Sequence, residues 1–335
     1  MSSACSTASA RWFLFLLVLL TGCATRAPVL PQALQQQEGP GSLELTEVPF
    51  FPQQDYQCGP ASLAEVLRYS GIDTDPEALR PRLYIPGKQG SLQLEMAAAA
   101  RSAGRIAYVP PARLAALLAE LQAGRPAIVL QNLGLERYPV WHFAVVIGYS
   151  AQTDRFILRS GETRRQVTSA YDLVRTWALA GQWSMVVLEP GQLPATDDPD
   201  GFVRAVAAAE AANPRLNVTA SYQAAVGRWP ENMLARLGLA NAQRRAGDLP
   251  QAIEGYRAVL AREPGQVVAA NNLADALNAY GCRSLALQTI DAAIQAAGPS
   301  HALGKVFEQT RAEILAGGTR PEESAECATW ARMPR

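Results

Sequence analysis

Hydrophobic positions along the chain fall into two regimes. Between residues 45 and 190, short apolar runs alternate with helical patterns. Leu63, Val66 and Leu67 recur at helical spacing just after Cys58, and the Ala/Leu-rich stretches 91–103 and 112–123 also read as helices. Four runs of β-branched and aromatic residues bounded by turn residues follow at 127–130, 143–147, 156–158 and 185–188, and these read as strands. Helices first and strands afterwards predict an α+β fold, with helices packed on a mostly antiparallel sheet. Residues 191–200 are Pro/Asp-rich and read as a linker. From 201 onward the strand signal vanishes and alanine dominates.

The alanine-rich half carries an internal repeat. Leu239, Gly247, Ala252 and Tyr256 are matched 34 residues later by Leu273, Gly281, Ala286 and Ile290. Tyr222 and Pro230 anticipate Tyr256 and Pro264 at the same interval. A period of this length, with small residues where paired helices cross, resembles the tetratricopeptide repeat and implies an all-α helical repeat domain over 201–316. The stretch 301–316 reads as its capping helix and 317–335 as a C-terminal tail.

At the other end, nine apolar residues (12–20) follow Arg11, the length of a signal-peptide core and too short for a membrane span. Leu20-Thr21-Gly22-Cys23 then resembles a bacterial lipobox. The resemblance implies removal of residues 1–22 and lipidation of Cys23, with acyl chains anchoring the protein to a membrane. Ala24 in the next position points to the outer membrane of a cell envelope, facing the periplasm. Residues 23–44 lack hydrophobic periodicity and read as a tether.

Composition narrows the function. The 30 basic and 30 acidic residues cancel, which excludes the basic excess of a nucleic-acid binder. With 49% hydrophobic and 18% charged residues, wholesale disorder is excluded. Five cysteines and two histidines are too few for a disulfide scaffold or a histidine-rich metal site, so no metal or other cofactor is expected. Whether Cys282 and Cys327 pair is left open. Arg159, Arg164 and Arg165 read as a solvated edge.

The candidate chemistry lies in Gln53-Gln54-Asp55-Tyr56-Gln57-Cys58-Gly59-Pro60-Ala61. A lone cysteine stands where a loop becomes a helix, and Pro60 suits the first turn. The partial positive charge of a helix N-terminus favours thiolate there. Gln53 can donate to a developing oxyanion together with the Cys58 N–H. The imidazole partner is His142, at the head of the strand Trp141-His142-Phe143-Ala144-Val145-Val146-Ile147. His301, in the helical half, reads as a surface residue.

The pattern Gln…Cys-Gly-Pro-Ala followed by His-Phe-Ala-Val-Val-Ile-Gly-Tyr resembles the double-glycine leader peptidases, papain-like cysteine peptidases that trim bacteriocin precursors. That resemblance implies a papain-like α+β peptidase domain over 45–190 with Cys58 as nucleophile, His142 as general base and acid, and Gln53 as oxyanion donor. The family places Asp or Asn after its histidine strand; here Ser160 stands near that place, with Glu162 and Asp154 as alternatives. Glutamine spacing is one residue short, leaving Gln54 as a stand-in for Gln53. The expectation is a lipid-anchored cysteine peptidase acting on a peptide or protein substrate, with the helical repeats recruiting substrate or a protein partner. Two other readings stand beside it: an inactive peptidase-like scaffold on helical repeats, and a cell-wall amide hydrolase.

Overall fold

The computed structural model describes residues 28–34, 40–53, 57–85, 87, 90–298, 300–317 and 325–332. The signal segment 1–22 and Cys23 lie outside these residues. Among the described residues, no helix is long and apolar enough to cross a membrane.

A seven-stranded sheet organises the first half. Its strands are β1 (Ser42–Glu44), β2 (Ile106–Tyr108), β3 (Ala127–Asn132), β4 (Trp141–Ser150), β5 (Arg155–Ser160), β6 (Thr163–Ser169) and β7 (Ser184–Leu188). The order is β2-β7-β3-β4-β5-β6, and every pairing is antiparallel. Strand β4 is the axis. It pairs with β3 along 141–146 and with β5 along 145–150, and β1 takes the edge that β3 leaves free at 148–150. Gly148 is required at that crowded point, because a Cβ there would lie 2.3 Å from the Leu43 carbonyl oxygen.

Both sheet faces are covered, which is why the central strands read as continuous apolar runs rather than alternating ones. On one face, Phe143, Val145, Ile147, Ile128 and Ile157 pack beneath α2 (Cys58–Tyr69), α3 (Pro76–Leu83) and α4 (Gln93–Ser102). On the other, Val129, Val146, Phe156, Leu158 and Tyr108 pack against α5 (Leu114–Gln122) and α6 (Ala170–Ala178). A short helix α1 (Val29–Leu34) joins this second face through Leu30, which is fully buried and whose N–H donates to Asp154 Oδ1 at 2.8 Å. Parts of the segment read as a tether are therefore built into the fold.

The second half is a run of helices: α7 (Pro199–Ala212), α8 (Thr219–Arg228), α9 (Met233–Arg245), α10 (Leu249–Arg262), α11 (Val267–Tyr280), α12 (Arg283–Ala297), α13 (Gly304–Ala316) and α14 (Ala325–Arg332). Ala252 and Ala286, the small residues of the repeat, are fully buried. Gly281 closes α11 at φ 109°, a conformation that favours glycine. Cys282 and Cys327 form a disulfide that ties α14 to the start of α12. The segment read as a linker is pinned rather than free. The buried Glu120 carboxylate accepts from the N–H groups of Ala195 and Thr196, and the Tyr108 hydroxyl bonds Thr196 and Asp198.

Candidate active site

Helix α2 begins at Cys58 and buries every residue from Gly59 to Leu67. Pro60 falls in the first turn, where its missing N–H costs nothing. Gly59 lets the segment before α4 approach: a Cβ there would lie 2.4 Å from Ser91 Oγ. The N-terminus of α2 therefore sits firmly against the sheet, at the end of β4 where His142 lies.

His142 is the second residue of β4 and stands opposite Gln131 of β3. Its Nε2 is 2.9 Å from Ser160 Oγ, at the end of β5. The backbone of the next residue, Phe143, lies close enough to the Cys58 thiol to lower its pKa. Gln53 is fastened to Gly161, the residue after Ser160: its N–H donates to the Gly161 carbonyl at 3.0 Å, and its Oε1 accepts from the Gly161 N–H at 3.1 Å. His142 and Ser160 are thus bonded directly, Gln53 is bonded to the residue after Ser160, and the Cys58 thiol lies near the backbone of the residue after His142. Gln53 is 8% exposed, and its Nε2 has no hydrogen-bond partner among the described residues. An amide nitrogen left free while its own oxygen is bonded is a donor held in reserve.

The alternatives fare differently. Gln54 lies outside the described residues. Asp154 sits at the far end of β5, bonded to Leu30, and Glu162 is exposed in the β5–β6 turn. His301 is half-buried, with its ring stacked on Phe307. Among the described residues, no group of three or more His, Cys, Asp or Glu side chains converges as metal ligands do.

Electrostatics departs from the sequence expectation. Backbone N–H groups of Phe143, Gly59 and Cys58 do pull the thiol pKa down, but burial outweighs them and the net shift is upward. Burial likewise lowers the pKa of His142. Burial thus disfavours the charged form of each group, thiolate and imidazolium alike.

Two buried charged residues support the loop that carries Gln53, and sequence reasoning missed both roles. Arg159 is 3% exposed, not part of a solvated edge. Its guanidinium donates to the carbonyls of Val48, Thr46 and Arg164. Glu65 is fully buried in α2 and accepts from the Phe51 N–H at 3.1 Å; burial pushes its carboxyl up to about 8. Of the arginine cluster, Arg165 does lie at the surface, paired with Glu44.

Beside His142, the β3–β4 hairpin exposes Leu133, Leu135, Tyr138, Val140 and Trp141. Its shape is set by Asn132, 1% exposed, whose Oδ1 accepts from the N–H groups of Gly134 and Val140 and whose Nδ2 donates to the Leu135 carbonyl. An Asn two residues before a Gly, within an apolar run, was the available signal.

Residues 45–185 match the model of the Peptidase_C39 like family, a cysteine-peptidase-type domain. Among solved structures, a putative C39-like peptidase from Bacillus anthracis is 17% identical, with 44% of this chain aligned to 98% of that one at a TM-score of 0.38. A double glycine motif protease from an AMS/PCAT transporter, in complex with the leader peptide, is 22% identical, covering 42% of this chain and 91% of that one at a TM-score of 0.33. The peptidase domain of Streptococcus ComA, a bifunctional ABC transporter, is 20% identical, covering 43% and 99% at a TM-score of 0.33. No curated protein matches the chain.

Proposed function

We propose that the C39-like domain is an active cysteine peptidase that cleaves a peptide bond through a Cys58 acyl-thioenzyme. The observation that carries this reading is the unpartnered Nε2 of buried Gln53 at the corner shared by Cys58, His142 and Ser160. With the Nε2 proton of His142 donated to Ser160 Oγ, Nδ1 holds the lone pair and serves as base. His142 takes the thiol proton as the Cys58 sulfur attacks the scissile carbonyl carbon. Gln53 Nε2 and the Cys58 N–H hold the oxyanion. His142 then delivers the proton to the departing amine. In the second half, His142 draws a proton from water, hydroxide attacks the thioester, and the Cys58 thiol is restored.

Substrate is held by the exposed apolar hairpin 133–141, which runs directly into His142. Its shape is fixed in advance by Asn132, so little ordering entropy is lost on binding. The helical half recruits substrate or a protein partner. Between α10, α11 and α12 it forms a groove of about 350 Å³, lined by Leu260, Val267, Leu285 and Ala292 and bounded by Trp330 of α14. The chain is anchored to the cell envelope by acyl chains on Cys23.

Mass spectrometry of envelope peptides from cells carrying Cys58→Ala or the unaltered protein tests the activity. Peptides present only with the unaltered protein are expected, and identical peptide sets sink it. A second reading, a peptide-binding scaffold without turnover, is favoured by the absence of a carboxylate at Ser160. It predicts that Cys58→Ala retains partners on pull-down while the peptide sets do not change.

A further inference from the structure

Ser160 is neutral, so the imidazolium that forms when His142 takes the thiol proton has no charge of opposite sign against its Nε2. A cavity of about 120 Å³ opens beside this pair, with Leu133 and Leu158 as its apolar wall. Its wall includes His142, Ser160, Gln131, Gln166, Thr176 and Asp172. Seven of its nine lining residues carry polar groups, and the space is large enough to admit water. Asp172 is the single carboxylate in the lining.

The register of Asp172 against His142 is built, not incidental. Gln131, opposite His142 in the β3–β4 ladder, donates from Nε2 to Thr176 Oγ1 at 2.7 Å. The Thr176 hydroxyl in turn donates to the Asp172 carbonyl at 2.8 Å. At the start of α6, Ser169 Oγ accepts from the Asp172 N–H and donates to Asp172 Oδ2 at 2.6 Å. The first turn of α6 is thus fastened to the strand beside His142, and the carboxylate is held at the cavity rim.

We propose that Asp172 is the positioning carboxylate of this site. Acting across the cavity, through the Ser160 hydroxyl, it favours the charged form of His142 and keeps the ring turned with Nε2 toward Ser160. Ser160 Oγ accepts from the imidazole and donates its own proton into the cavity, where a water bonded to Asp172 accepts it. Among the described residues, no other carboxylate lines this cavity. From β3 the facing group is Gln131; from β5, Ser160; from β6, Gln166 and Thr168; from α6, Thr176. Arg159, the neighbour of Ser160, spends its donors on the carbonyls of residues 46, 48 and 164. Use of this charge in catalysis rests on the peptidase reading; the coupling to His142 does not.

The chain has only two histidines, so the imidazole of His142 can be titrated by NMR in the purified full chain, with His301→Asn assigning the resonances. Asp172→Asn keeps the shape and removes the charge. It is expected to lower the His142 midpoint by about half a unit, as a charge across a gap does, while the melting temperature stays near that of the unaltered chain. In a Ser160→Asp background, where a carboxylate touches Nε2 directly, the same substitution is expected to shift the midpoint much less. An unchanged midpoint in Asp172→Asn overturns the proposal. Should Asp172→Asn fail to fold, the pair Asp172→Glu and Asp172→Gln, alike in length and different in charge, must separate the midpoints; equal midpoints again overturn it. A chain that shifts as stated but cuts no peptide keeps this proposal and loses the peptidase reading. A chain that cuts peptides without the shift does the reverse.

Discussion

The sheet-bearing region and the distal helices are held together in different ways, and the division between them does not fall where composition changes. Composition turns alanine-rich near residue 201. Yet Phe202, Val206, Tyr222 and Ala235, from α7, α8 and α9, share one apolar core with Tyr108, Val129 and Val146 of the sheet. A separate core begins within α9 at Ala240 and runs through Tyr256, Leu277 and Ile290 to Trp330. In the distal helices cohesion is local and repetitive. Small residues let neighbours touch, as Gly255 does against Ala240, and ion pairs such as Arg244–Asp275 and Arg262–Glu231 bridge positions 31 residues apart. Around Cys58, by contrast, the contacts follow no period: Gln53 reaches Gly161 across 108 residues, and His142 meets Ser160 across 18. A run of helices held by contacts between neighbours tolerates change locally, whereas a site built from remote pairings fails as a whole.

The strongest way to break that contrast is Cys58→Ala. Loss of cleavage by about a thousand-fold or more is expected, as for removal of a covalent nucleophile, with the melting temperature little changed. Activity surviving in this variant would move the chemistry out of the sheet-bearing region. Next is Gln53→Ala. Removing one oxyanion donor is expected to reduce kcat by about a hundred-fold with KM nearly constant. A pure KM effect would instead make Gln53 a substrate-binding or structural residue.

Smaller, and confined to the other region, is the effect of opening the disulfide. Cys327→Ser removes a cross-link over a 45-residue separation that fastens α14, a helix with only Cys327 and Trp330 buried. Chain entropy puts the loss at about 4 kcal/mol at most. It should appear as earlier melting of the distal helices. The rate at which iodoacetamide alkylates Cys58 should not change, because the distal core is separate from the one beneath the site. That alkylation is itself informative: with burial raising the thiol above its ordinary value of 9.0, it should be slow at pH 7 and rise only in alkaline solution. A fast reaction at neutral pH would show a resting ion pair.

Much of the site was legible because its members stand at element junctions that leave marks in sequence. Cys58 precedes a proline that suits a first helical turn, and His142 heads an apolar strand. Ser160 was found by its place after the β5 run. What stayed hidden was long-range. Helix α1 and strand β1 carry too few residues to show a period, and they are fixed by Asp154 and by the edge of β4. Strand β6 is mostly exposed and polar, so its sequence resembles a loop. Arg159 looked like one of three surface arginines. Alternation along β5 turns it inward, where the carbonyls of residues 46 and 48 await its donors. Glu120 and Glu65 are buried for the same kind of reason: backbone N–H groups from distant loops need an acceptor, and no local pattern announces them.

Glu65 supplies the smallest expected effect and a test of how the loop carrying Gln53 is held. In the folded chain its carboxyl keeps a proton up to about pH 8, whereas its ordinary value is 4.5. The folded state therefore binds more protons than the unfolded state between those values, so Glu65 makes stability fall as pH rises from about 5 to 8. Glu65→Gln keeps an oxygen for the Phe51 N–H and cannot ionise. Relative to the unaltered chain it should be nearly neutral at pH 5 and stabilising above pH 8, by about 1–3 kcal/mol. Denaturant melts at the two pH values measure this difference. Because Arg159 lies close enough to favour the ionised form, Arg159→Met should widen the gap between the two pH values. If Glu65→Gln is equally destabilising at both, Glu65 holds Phe51 as a carboxylate, and the loop bearing Gln53 is fastened by charge rather than by a neutral hydrogen bond.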